Sequence, residues 1–98
     1  ENKPTGTFHG VISTDVMEHI PKEQISDVFR EISQYATRFV FLCIATDPAI
    51  AVLPNGENAH CTLKPLEWWV EEWWHSAVKD NLAVHIKTYG QYEGYQII

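Results

Sequence analysis

The hydrophobic pattern along the chain changes period several times, and each change marks an element. Residues 8–14 (FHGVIST) form a short β-prone run centred on Val11 and Ile12, which predicts a strand. Residues 15–20 (DVMEHI) predict a turn or a short helical piece. Pro21 then suits a helix start, because its fixed φ fits the first turn and its missing N–H is not needed there. Over 22–35, apolar residues fall at Ile25, Val28, Phe29 and Ile32, continuing to Ala36. Spacings of three and four put them on one stripe, so an amphipathic helix is predicted, with Glu23, Asp27, Arg30 and Glu31 on its other face. Residues 39–45 (FVFLCIA) are apolar throughout, as in a central parallel strand covered on both faces.

The stretch 47–63 carries Pro48, Pro54, Asn55 and Gly56 and predicts a long loop. Asn55, Gly56 and Asn58 read as turn residues. A second helix is expected over 65–78, with Leu66, Trp69, Val70, Trp73 and Ala77 on one stripe and Trp74 at its edge. Trp68 falls on the opposite side and is expected to be half-exposed, packed on the loop or buried in a partner. Residues 82–88 (LAVHIKT) alternate as a strand, and 95–98 form the last strand after a turn over 90–94. Residues 1–7, with Pro4 and Gly6, read as a loop or linker.

The order β-α-β-α-β-β predicts an α/β sheet with three parallel strands and an antiparallel last one. Crossovers between parallel strands are right-handed, so two crossovers moving the same way put both helices on one face. One alternate set of the apolar run is then left without a cover. It is either Phe39, Phe41 and Cys43 or Val40, Leu42 and Ile44. The first strand also has an open outer edge. The chain is therefore expected to need a missing amino-terminal half or a second copy of itself.

Composition sharpens this expectation. Four Trp, four Tyr and four Phe are many for 98 residues, and all four Trp lie between Trp68 and Trp74. So many aromatics suit a core or interface larger than the chain closes alone. Thirteen acidic against seven basic residues give a formal net charge of −6, which argues against gripping nucleic-acid phosphates. No apolar run approaches a membrane span, and the first residues do not resemble a signal peptide. Two cysteines, with Cys43 inside the apolar run, are too few for a disulfide scaffold and point to a reducing, cytoplasmic setting. The histidines are scattered and His60 adjoins Cys61, so no metal-like spacing is seen and no metal site is predicted.

Residues 10–21 (GVISTDVMEHIP) resemble the fourth-strand motif of class I S-adenosylmethionine-dependent methyltransferases. In that family an apolar strand is followed by a small polar residue, an acidic residue, a V-L-E-H-I-like run and often Pro. The order of the later elements matches as well, including a Trp-rich helix and a terminal antiparallel pair. The resemblance implies a partial doubly wound domain over residues 1–98, covering roughly strands four to seven of the family fold. It places Ser13, Thr14 and Val16 beside the cofactor, and Asp15 and His60 as candidate catalytic or substrate-facing residues. Glu18 and His19 would orient the loop after the strand.

The family's glycine-rich cofactor loop has no counterpart. The glycines at 6, 10, 56, 90 and 94 form no G-x-G pattern. The resemblance thus implies S-adenosylmethionine binding only if the missing half is supplied. The alternative expectation is a non-catalytic dimeric remnant that acts as a protein-interaction module.

Overall fold

The computed structural model describes residues 6–50, 52–79 and 81–98. Most of the expected amino-terminal linker lies outside these residues. The order is β1 (Phe8–Thr14), a 3-10 turn (Met17–His19), α1 (Lys22–Tyr35), β2 (Ala36–Ala45), α2 (Leu66–Ser76), β3 (Ala83–Tyr89) and β4 (Gly94–Ile97). The strands form one sheet in the order β1-β2-β3-β4. β1, β2 and β3 are parallel, and β4 runs antiparallel to β3. The fold is thus the α/β layout that the element order predicts.

Both helices pack on one face of the sheet and against each other. Ile25 and Phe29 of α1 are buried with Trp69, Val70 and Trp73 of α2, and Phe29 sits between the two indoles at centroid distances of 6.2 and 5.3 Å. Val40, Leu42 and Ile44 of β2 and Val84 and Ile86 of β3 complete this core. Trp68 is half-buried, edge-on to Trp69 at 4.9 Å and capped by the Lys64 ammonium at 5.9 Å. That is the side position its helical phase requires. Ala36, which the helical stripe includes, instead opens β2, where its buried methyl faces the helices. The strand is three residues longer at its start than the apolar run suggests. Thr37 and Arg38 are exposed there and break the pattern.

Polar groups tie the helix ends. The Lys79 ammonium donates to the carbonyls of Gln34 and Ala36 at the carboxyl end of α1, where a cation is favoured. The buried Ser33 hydroxyl donates to the Arg30 carbonyl and accepts from the Val78 N–H.

The opposite face of the sheet carries Phe39, Phe41 and Cys43, so the first of the two alternate sets is the uncovered one. Phe8 and Ile12 of β1 and Tyr95 and Ile97 of β4 extend it, and all four are more than two-fifths exposed. Gly10 lies opposite Phe39, whose ring occupies the place a Cβ on Gly10 would take. The aromatic ring shields a strand glycine from water. No element among the described residues covers this face.

The turn between β3 and β4 is fixed from β2. Thr46 receives the Tyr92 N–H on its hydroxyl and donates that hydroxyl to the Tyr89 carbonyl. The Asp47 carboxylate accepts the Gln91 N–H at 2.8 Å. Gly90 has φ +103°, and a Cβ there would lie 2.8 Å from that carboxylate. Gly90→Ala is therefore expected to cost about 1–3 kcal/mol, from left-handed strain and the displaced Asp47 bond. Thermal unfolding followed by tryptophan fluorescence checks this. An unchanged melting temperature would contradict the role given to Gly90.

Candidate functional site

Ligands of open α/β sheets bind beyond the carboxyl ends of the parallel strands. Two segments meet at that edge. The first leaves β1 through Asp15, whose φ of +59° is a left-handed conformation that aspartate tolerates better than most residues. The Asp15 N–H still donates to the Cys43 carbonyl, so the ladder persists while the chain turns into the 3-10 segment. The turn buries Met17 and Glu18 and leaves His19 exposed.

The second segment is the loop after β2. Asn58 clamps it by accepting the N–H groups of Ala49 and His60 and donating to the Ala49 carbonyl. His60 Nδ1 lies 2.6 Å from the Asp47 carbonyl. Thr62 is bonded to the first segment at the Glu18 and Ile20 carbonyls. The backbone thereby holds His60 beside Glu18 and His19. Its Nε2 is 4.0 Å from Glu18 Oε2, and its ring stands edge-on to His19 at 4.7 Å.

The predicted site residues divide into two groups. Glu18, His19 and His60 come together. Asp15 does not join them but accepts a hydrogen bond from the Tyr89 hydroxyl, across the end of β2. Thr14 and Val16 are exposed at the same edge. Ser13 turns toward the helical side, and its buried hydroxyl has no hydrogen-bond partner among the described residues.

Three contributors escaped the sequence reading. Tyr89 lies one residue beyond the expected end of its strand, at the position where parallel strands present functional groups. Asp47 acts through a backbone carbonyl, which no side-chain pattern reveals. Asn58 reads as a turn former, yet its amide organises the whole loop.

The Asp15 bond sets the electrostatics of the edge. It holds the phenol proton and pushes Tyr89 up to about 12, with burial and the charges of Asp15 and Glu18 acting in the same direction. Burial pushes the Cys43 thiol up too, with a further push from Asp15, so this cysteine is held as the unreactive thiol.

A cleft of about 350 Å³ between Trp73, Trp74, Val78 and Leu82 lies toward the start of β3 and away from these groups. Lys79, the one cation among its described lining residues, is already engaged by helix carbonyls. No described helix is long and apolar enough to cross a membrane.

The folded Tyr89 pKa lies above its ordinary value of 10.0, so the bond's contribution to stability is complete below that pH. It is lost as pH rises from there to about 12. Ultraviolet titration is expected to show one late-ionising tyrosine, and Asp15→Asn should bring it back toward the ordinary range. An unaltered titration in the variant would contradict the assignment.

No protein-family model matches the chain, and no curated protein or solved structure matches it significantly.

Proposed function

We propose that this chain is the carboxyl-terminal half of an S-adenosylmethionine-dependent methyltransferase domain, inactive by itself. One observation carries the reading. The Asp15 turn and the Glu18–His19 pair sit at the carboxyl end of β1, the edge strand of a sheet whose face opposite the helices no described element covers. An amino-terminal half would add strands at the open edge of β1 and helices on the face bearing Ile12, Phe39 and Phe41. It would also bring the glycine-rich loop that these residues lack.

The residues present fit one wall of a cofactor pocket and not the whole. The exposed Thr14 and Val16 lie at the edge where the resemblance expects the cofactor, whereas the Ser13 hydroxyl is buried toward the helices. No strand-loop-glycine cradle exists among the described residues, so the wall they form is incomplete. Methyl transfer is an in-line displacement at a sulfonium carbon, and it depends on positioning the acceptor more than on acid–base chemistry. His60, held at the Asp47 carbonyl on the clamped loop, and Asp15, held by Tyr89, are placed to position an acceptor. The acidic edge that includes Asp15, Asp47 and Glu18 does not favour an anionic one. The uncovered face also supports a second reading, a non-catalytic module that pairs with its own copy.

Titration calorimetry with S-adenosylmethionine separates the readings. The chain alone is expected not to bind in the micromolar range. The chain extended by the residues encoded upstream is expected to bind and to carry a glycine-rich strand-loop-helix. Micromolar binding by the isolated chain would contradict the incomplete pocket, and an extended chain that fails to bind would contradict the methyltransferase reading.

A further inference from the structure

The geometry points to a divalent transition-metal site formed by Glu18, His19 and His60. One carboxylate oxygen and two imidazole nitrogens, one from each residue, lie within 4.8 Å of one another. A carboxylate with two histidines is a donor set suited to Mn²⁺, Fe²⁺, Co²⁺ or Zn²⁺ with coordination positions left open.

Two independent features favour a cation over a chance cluster. The first is Glu18 itself. Its side chain is 1 % exposed, and Oε1 has no hydrogen-bond partner among the described residues. A buried carboxylate with an empty oxygen is costly unless a positive charge meets it. Among the described residues the only ion-pairing group found at Glu18 is His60, and the 4.0 Å separation is too long for a hydrogen bond.

The second feature is the orientation of His60. A carbonyl only accepts, so the 2.6 Å contact with the Asp47 oxygen requires a proton on Nδ1. In the neutral tautomer that carries this proton, the Nε2 lone pair is turned toward Glu18 Oε2, 4.0 Å away. Metal-binding histidines are oriented in the same way, by giving their other N–H to a carbonyl or carboxylate. Donors about 2.1 Å from one ion stand at most about 4.2 Å apart, so the gap between His60 and Glu18 accommodates an ion directly. His19, exposed at the rim, offers the second imidazole nitrogen within 4.8 Å of the other two donors. The open coordination positions then face the solvent side of the edge, where an oxygen-donor ligand can enter.

This inference does not depend on the methyltransferase reading, and its test uses no cofactor. The chain is stripped with chelator and titrated with Mn²⁺, Co²⁺ and Zn²⁺. One ion per chain is expected, with Kd in the micromolar range and a rise in melting temperature of about 5 °C at saturation. Co²⁺ should develop visible absorption. Glu18→Gln and His60→Gln should each weaken binding at least about tenfold, and His75→Gln on the exposed side of α2 should leave it unchanged.

Broadening of imidazole NMR signals in the unaltered chain supplies a readout that does not depend on the variants folding. Substoichiometric Mn²⁺ should broaden His19 and His60 before His9, His75 and His85. The absence of binding at millimolar metal would overturn the site. Equal binding by the Glu18→Gln and His60→Gln variants, or broadening that begins at another histidine, would overturn it as well.

Discussion

The handedness of the two crossovers governs this structure. β1 to β2 and β2 to β3 both step the same way across the sheet through a helix, so α1 and α2 must share a face. The helices meet at Phe29, Trp69 and Trp73, and the inward residues of β2 and β3 close the core beneath them. The other side of β2 is just as apolar, and nothing described covers it. That asymmetry accounts for the surplus of aromatics. Some fill the helical layer, and others, including Phe8, Phe39, Tyr89 and Tyr95, stand on or beside the bare face.

The same topology gathers the chemistry. Parallel strands send all their following segments to one edge, so the turn after β1, the loop after β2 and the end of β3 converge. Most buried polar groups there are matched. Thr46 and Thr62 are buried, and their hydroxyls bond to carbonyls across segments. Asn58 supplies three bonds within its loop. Against this background the bare oxygen of Glu18 stands out, because the surrounding loop is otherwise tightly bonded.

Much of the fold was legible in the sequence, because the two helical stripes and the continuous apolar run follow directly from side-chain periodicity. The bounds of β1 and α1 agree with the hydrophobic pattern. β2 starts earlier than expected because strand pairing with Phe8 and Gly10 carries Thr37 and Arg38, which no local pattern favours. The site was legible residue by residue and not as a constellation. Asp15, Glu18, His19 and His60 could each be singled out, but linear spacing cannot show that a loop brings His60 back to Glu18. Tyr89 was hidden for a related reason: its partner Asp15 lies at the other end of the chain, and only the strand order brings them within reach.

The central claim is that the Phe39 and Phe41 face is an interior surface of a larger assembly. Multi-angle light scattering of the purified chain at micromolar concentration, with a hydrophobic dye added to the same samples, tests it most directly. The account predicts self-association or strong dye fluorescence. A monodisperse monomer that leaves the dye dark would contradict it.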